Sequence, residues 1–303
     1  MAADTYASLS DLRVAAYMNM GLLQLLHQKL DLRGTMIEVP FQANLGSAAG
    51  KVGLWQPVDA FAAPGEDVAS TVTNITDSSA TLTVAAYRLH REITDLAVIT
   101  GGPELDELVA AMGLSATRTM SGLLTAAYPS LATSVGASGV NLSVDNVYSA
   151  QYALQLSNVD GPFYLVLHGV QYNDFIASLR GEAGAVQFAP ATDAQLAIKG
   201  EGFKGVWHNI EIYQDNSCPT ANGGADRVGA LYGRGCFGYT EAPIDRAMPY
   251  MSKVSVPAGS KVAVEIVRGS VGALAGKTFV VGHYYPAVAE LEDLRGVKVV
   301  TDA

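Results

Sequence analysis

Between Gln42 and Ser70 the chain runs for 29 residues rich in Ala, Gly, Ser and Pro. Connections of that length without structure of their own are uncommon in a compact domain. The flanks explain it. Met36-Ile37-Glu38-Val39-Pro40-Phe41 reads as a short strand, and Pro40 confines it to an edge. From Ser79 to His90 a return strand is expected, where Leu82, Val84 and Ala86 alternate with Thr81, Thr83 and Ala85. Out, a loose tip and back describes an extended two-stranded excursion, which is marginal alone and needs a surface to lie on. Trp55, Val58 and Phe61 sit near its tip. Burying a large apolar side chain contributes roughly 1.5–3 kcal/mol, so a partner surface would hold it. Residues 35–85 carry one base, Lys51, and five acids, Glu38, Asp59, Glu66, Asp67 and Asp77.

The elements around the excursion alternate. Residues 1–34 read as a helical arm, with Leu12, Ala15, Ala16, Leu22, Leu23, Leu26 and Leu30 near helical spacing, Ser10 as a cap and Gly34 beyond the end. Pro103 to Tyr128 is the longest helical pattern, with Leu105, Leu108, Val109, Met112, Ala116, Met120, Leu123, Leu124 and Ala127 as its stripe and Pro129 as its stop. Ser143 caps a helix carrying Val147, Ala150 and Leu154. Gly161-Pro162 turns into a buried strand, Phe163 to Leu167, and a helix follows with Tyr172, Phe175, Ile176 and Leu179. Val206, His208, Ile210 and Ile212 alternate as one strand. Asn216 to Gly238 is Gly-rich and reads as turns. Three strands close the chain, around Val262-Val264-Ile266, Phe279–Tyr285 and Val297–Thr301. The class is mixed α+β.

Composition narrows the function. With 19 basic and 29 acidic residues the net charge is −10, against the basic stripe of a nucleic-acid gripping protein and against a polybasic membrane-surface protein. Apolar residues make up 49% and charged ones only 16%, where about 25% charged is usual. The start, MAADTYASLSDLR, shows no basic region followed by an apolar run, so no secretory signal is expected. Thr119 to Val144 holds 26 residues without a charge. That is long enough to span a bilayer. Half of them are Ser, Thr, Gly, Pro or Asn, so the stretch reads as soluble. Cys218 and Cys236 form no CxxC pair and read as two reduced thiols.

Motifs with chemistry fail on context. Gly200-Glu201-Gly202-Phe203-Lys204-Gly205 matches a dinucleotide fingerprint by letter, but a strand pattern follows where a helix is required. Gly276-Lys277-Thr278 lacks the earlier glycine of a phosphate loop and is also followed by a strand. The five histidines, His27, His90, His168, His208 and His283, stand too far apart for a His-x-x-x-His metal face, and His208 and Glu211 would point to opposite faces of a strand. No nucleophile, base and orienter assemble. Catalytic groups can be gathered by a fold without a local motif, so an α+β enzyme with a scattered site stays as an alternative.

The order of elements, rather than any one motif, is distinctive. Gly34-Thr35-Met36-Ile37-Glu38-Val39-Pro40 leads into the excursion, and Arg88-Leu89-His90-Arg91-Glu92-Ile93-Thr94-Asp95-Leu96-Ala97 leads out toward the long helix. Gly161-Pro162-Phe163-Tyr164-Leu165-Val166-Leu167-His168 and the Tyr172–Leu179 helix follow. The chain closes through Gly282-His283-Tyr284-Tyr285 and Gly296-Val297-Lys298-Val299-Val300-Thr301-Asp302-Ala303. Over essentially its whole length this resembles the major capsid protein of tailed bacteriophages, with the Hong Kong 97-type fold. The resemblance implies an N-terminal arm (1–34), an extended loop (35–95), a peripheral domain with a spine helix (96–140), an axial domain (141–260) and peripheral closing strands (261–303). It implies hexamers and pentamers tiling an icosahedral shell around double-stranded DNA, and a virion location after assembly in the host cytoplasm. Scaffolding, portal and decoration proteins are the partners it suggests, without enzyme activity, cofactor, metal or membrane. A compartment shell of the encapsulin kind shares the fold and is the second alternative. By resemblance, Leu22, Leu26, Leu30, Lys51, Trp55, Phe61, Arg88, Arg91, Arg234 and Phe237 face neighbouring subunits. Some members weld neighbours through a Lys–Asn isopeptide bond. Lys51 is the only lysine in the loop segment, but the last asparagine is Asn222 and the closing strands hold none, which argues against such a bond.

Overall fold

A computed structural model of the protein describes residues 30–41, 49–55, 77–94, 105–181, 187–242, 262–269 and 277–302. The described chain comes in at Leu30, whose backbone bridges to Gly200. Leu30, Leu32, Thr35 and Met36 are buried. One 3-10 turn, Arg33–Thr35, leads to strand β1 (Ile37–Glu38). The strand is shorter than Met36–Phe41, because Pro40 has no N–H to continue a ladder.

Strands β2 (Ala49–Trp55) and β3 (Asp77–Thr83) pair antiparallel, from Ala49 opposite Thr83 to Trp55 opposite Asp77. This is the two-stranded excursion. The expected single return strand is broken at Val84-Ala85-Ala86, where the Ala85 amide donates to the Pro286 carbonyl at 3.4 Å. Beyond the break, β4 (Tyr87–Thr94) joins a different sheet.

Helix α1 (Leu105–Ala126) is the long helix. Met112, Ala116, Met120 and Leu124 are buried at every fourth position, and Tyr128 continues the row in a 3-10 turn (Tyr128–Ser130) that contains Pro129. Thr117, Ser121 and Thr125 are buried beside them. Their hydroxyls are satisfied within the protein: Thr117 donates to the Gly113 carbonyl at 3.2 Å, Ser121 to the Leu30 carbonyl at 3.2 Å and Thr125 to the Ser217 carbonyl at 3.2 Å. A buried hydroxyl is tolerated when paired in this way. The first half of the uncharged stretch, Thr119 to Leu131, therefore packs into the core, its second half being mostly exposed, and among the described residues no helix is long and apolar enough to cross a membrane.

After β5 (Ser134–Val135) comes α2 (Val144–Leu156), where the Ser143 hydroxyl accepts the Asn146 amide and Val144, Val147, Ala150 and Leu154 are buried. Strand β6 (Phe163–Leu167) is buried along its whole length, and α3 (Gly169–Gly181) follows with Gln171, Phe175 and Leu179 inward. Then come β7 (Ala189–Pro190) and α4 (Asp193–Lys199), whose start is a capping box of Thr192 and Gln195.

The expected single strand over Val206–Ile212 is a hairpin of β8 (Phe203–Trp207) and β9 (Ile210–Gln214). His208 and Asn209 form its turn at φ 46° and 64°. Both central residues are left-handed, as a two-residue type I′ hairpin needs. The letter-match to a dinucleotide fingerprint thus follows a helix and runs into a strand. The Gly-rich 216–238 segment is corrected more deeply. Strands β10 (Thr220–Ala221) and β11 (Asp226–Gly233) lie in it, and β11 is a central strand. A Cβ at Gly229 would stand 2.7 Å from the Val166 carbonyl oxygen, so that glycine is required by close packing and not by a turn.

Strands β12 (Phe237–Glu241), β13 (Ala263–Gly269), β14 (Lys277–Tyr284), β15 (Pro286–Glu290) and β16 (Gly296–Asp302) complete the chain. The central sheet runs β5-β16-β11-β6-β9-β8-β7, with β10 beside β11. Strands β6 and β9 are parallel, joined across α3. On one face α2 and α3 pack through Val147, Leu154 and Phe175 onto Leu165, Ile212, Leu231 and Val299. On the other, α1 and the 30–36 segment pack onto Tyr164, Val166, Ala230 and Tyr232. Two small sheets, β1-β12-β15 and β13-β14-β4, lie outside it. Of the strands in residues 261–303, β14, β15 and β16 each belong to a different sheet.

Candidate assembly surfaces

The excursion is anchored at its base. Leu82 is fully buried in a small cluster with Val39 and Ala287, against which Val52 and Val84 pack. Farther along the ribbon Lys51, Gly53, Ser79 and Thr81 are exposed. Among the described residues each of its strands pairs only with the other. Backbone N–H and C=O groups on an open edge are ready to pair with another chain.

Strand β4 offers a second edge. One side pairs with β14 over Tyr87–Thr94, and no other described strand lies on the opposite side. Tyr87, Arg88, His90 and Arg91 are exposed. Lys277 is committed to Glu92 at 2.5 Å across the pair. Charges on an exposed edge discourage indiscriminate pairing while leaving a partner of opposite sign acceptable. Between β4, β14 and α1 lies a small cleft of about 140 Å³ lined by Arg88, Met112, Thr119 and Tyr284.

The segment entering the subunit is held by polar contacts as well as by its leucines. Arg33 grips Asp31 at 2.6 Å, and its guanidinium lies 3.7 Å from the buried Glu241 carboxylate. The hydrogen bond to Asp31 leads the causes that hold Arg33 protonated. Tyr284 donates to Glu241 at 2.5 Å, and burial followed by that bond raises its phenol. Asp226 ties two loops together: Ser138, Asn222 and the Gly139 amide donate to it, and the Ser138 bond leads the causes that lower its pKa. Gln171 staples α3 to two strands by donating to the Arg227 carbonyl at 3.0 Å and to Thr301 Oγ1 at 2.9 Å.

Cys218 and Cys236 are free and buried, and burial pushes both thiols up, the opposite of activation. His168 is lowered, first by burial and then by Arg227. Among the described residues no group of three or more His, Cys, Asp or Glu side chains is placed to hold a metal.

The residues expected at subunit contacts separate into groups. Leu22, Leu26 and Phe61 lie outside the described residues. Lys51 is exposed on β2, and Trp55 stands opposite Asp77 at the far end of the ribbon. Arg88 and Arg91 are exposed on β4, and Arg234 is exposed in the β11–β12 turn. Leu30 and Phe237 are inside the subunit. The Phe237 ring packs 5.8 Å from Tyr128 and 5.1 Å from Tyr232, so its role is in the core. Missing from the expectation is an exposed stripe on α2, Tyr148, Tyr152 and Leu156, with exposures of 40%, 61% and 65%. Its i, i+4, i+8 spacing, offset from the buried Val147-Ala150-Leu154 row, was the available signal.

No protein-family model matches the chain, and no curated protein matches its sequence. Solved structures do match its fold. The capsid of Ralstonia phage GP4 superposes with a TM-score of 0.64 at 9% identity, covering 91% of this chain and 92% of that one. The head structure of Helicobacter pylori bacteriophage KHP40 gives 0.62 at 9% identity, covering 90% of each chain. The capsid of cyanophage P-SCSP1u gives 0.60 at 13% identity, covering 89% and 86%. The chain has the fold of a tailed-phage capsid protein. In this chain α1 is the longest described helix, β2 and β3 form a two-stranded ribbon, and the largest sheet has eight strands. At identities this low the likeness rests on the order and packing of elements, the same level at which the sequence resembled the family.

Proposed function

We propose that this chain is the major capsid protein of a tailed phage, which assembles into hexamers and pentamers that enclose double-stranded DNA in an icosahedral head. The observation that carries the reading is the match to phage capsid and head structures over about nine tenths of both chains. Its role is structural and not enzymatic. Supporting it, the ribbon is anchored at one end by Leu82, and farther along Lys51, Gly53, Ser79 and Thr81 are exposed. The charges also suit a ring of identical subunits. By sequence, residues 35–85 are acidic, while β4 exposes Arg88 and Arg91. Segments of opposite sign on one chain fit the heterologous contact that closes a ring. A net charge of −10 suits a container that holds DNA without gripping it. The same proposal takes scaffolding, portal and decoration proteins as partners, the virion as location and the host cytoplasm as the place of assembly.

Negative-stain electron microscopy of the purified protein, alone and with any co-encoded scaffold, tests this. Closed regular particles or rings of five and six are expected, with DNA inside natively produced particles. A stable monomer or dimer under both conditions refutes the shell reading. Protein cargo in place of DNA refutes the phage assignment and favours a compartment shell.

A further inference from the structure

The turn between β10 and β11 is built from Asn222-Gly223-Gly224, the only place in the sequence where an asparagine precedes a glycine. The three residues have φ of 49°, 70° and 102°, a left-handed run that asparagine and glycine tolerate best. All three are exposed. Among the described residues, a Cβ placed at Gly223 or Gly224 would meet nothing within 4 Å, so the backbone around Gly223 is open to water. The Asn222 side chain is nonetheless held, its Nδ2 donating to Asp226 Oδ2. Asp226 also accepts the Gly139 amide at 3.2 Å. The Ser138 bond leads the causes that keep Asp226 charged.

That juxtaposition has a chemistry of its own. The backbone nitrogen of the residue after an asparagine can attack the carboxamide carbon and close a five-membered ring. A side chain on the attacking residue obstructs the approach, and glycine has none. Asn216 is exposed too, but it precedes Ser217. We propose that Asn222 is a self-modifying site, where the Gly223 nitrogen and water convert the carboxamide to aspartate or isoaspartate facing Asp226. The bond from Gly223 N to Asn222 Cγ forms and the Cγ–Nδ2 bond breaks. Nδ2 leaves as ammonia with the proton given up by the Gly223 amide, and a cyclic imide remains. Water then opens the ring at either carbonyl, its hydroxyl going to that carbon and its hydrogen to the imide nitrogen. In sum water is consumed and ammonia released, with no oxidant or reductant. The product puts a carboxylate where an amide donated to Asp226, so an attraction becomes a like-charge contact. The turn thereby loses its tie to Asp226. The reaction needs only the folded turn and stands whether or not the subunit builds a shell.

The test ages the full chain as the unassembled subunit in warm, mildly alkaline buffer. Trypsin then releases residues 205–227, which hold Asn209 and Asn216 beside Asn222, and fragment ions place any amide-to-acid mass gain. Conversion at Asn222 about tenfold faster than at Asn216 is expected, because glycine leaves the attacking nitrogen unobstructed. The product should be a mixture that an isoaspartyl-specific methyltransferase labels, and Asn222→Gln should abolish that labelling in this peptide. Equal rates at the two asparagines, or an unchanged Asn222, overturn the proposal. Aspartate without isoaspartate means direct hydrolysis and overturns the cyclic route. A second measurement needs no ageing: carbon NMR follows the Asp226 carboxyl in Asn222→Asp. Its titration should move up, since a donor is lost and a like charge gained. An unmoved titration overturns the facing of the new carboxylate on Asp226.

Discussion

Phe237 and Arg234 stand three residues apart, the first buried and the second exposed. Phe237 is fully buried on β12, between β1 and β15. Its ring is 5.1 Å from Tyr232 at 88° and 5.8 Å from Tyr128 at 52°. Truncating a buried Phe to Ala removes its transfer free energy and leaves a cavity, together about 3–5 kcal/mol. Each aromatic pair is worth about 0.5–1.5 kcal/mol beyond area, which puts Phe237→Ala in the upper half of that range, near 4 kcal/mol. A loss of that size is about a thousandfold in the folded-to-unfolded ratio. It should lower the urea midpoint of the unassembled subunit by about 1–2 M. Arg234→Ala removes an exposed side chain and should stay within about 0.5 kcal/mol of the parent. On the shell reading it should impair particle formation instead. Urea unfolding followed by tryptophan fluorescence, beside particle counts by electron microscopy, measures both. An unchanged urea midpoint for Phe237→Ala combined with lost assembly would refute the core placement and put the ring at a subunit contact.

Two further outcomes follow from the buried charges. Arg33→Ala leaves the Glu241 carboxylate in the core without the guanidinium 3.7 Å away. Breaking a buried pair from one side costs about 3–5 kcal/mol, so thermal unfolding should move down by several degrees, and a midpoint equal to the parent's would show the pair contributes nothing. Asp226 has its folded pKa lowered, so its contribution is complete above the ordinary aspartate value of about 3.9 and is lost as pH falls through the lower folded value. The parent should therefore lose stability below about pH 4 more steeply than Asp226→Asn. Superimposable acid limbs in parallel urea titrations would remove the carboxylate from the account.

The sequence was legible where one face of an element is buried and the other is not. The α1 row, the Ser143 cap, the apolar run of β6 and the two-stranded excursion all follow from periodicity or capping chemistry. It misled where glycine had two uses. Gly229 and Gly233 resemble turn residues, yet both lie within β11, where a Cβ would collide with the Val166 carbonyl oxygen and with Val159 Cγ1. Nothing local distinguishes a glycine that turns the chain from one that lets another strand approach. The His208-Asn209 turn was hidden for a related reason, because alternation continues through a two-residue hairpin. Of the expected contact residues, all named by resemblance, Arg88, Arg91 and Arg234 are exposed. The burial of Phe237 was not legible, since an aromatic beside a glycine-rich turn looks the same whether it faces a neighbour or the core.

The division between a self-sufficient body and an unfinished ribbon explains how so little sequence identity can accompany one fold. The body is over-determined. Both faces of the central sheet are covered, and its buried polar residues, Gln171, Ser121 and Thr125, each bind more than one element or a distant carbonyl. Many apolar sequences of suitable volume satisfy such a core. The ribbon is under-determined. Leu82, Val39 and Ala287 fix where it leaves the body, but among the described residues β2 and β3 pair only with each other. Core tolerance erases residue identity while leaving element order intact. That is why comparisons at 9–13% identity find the fold over nine tenths of the chain where comparisons of sequence find nothing.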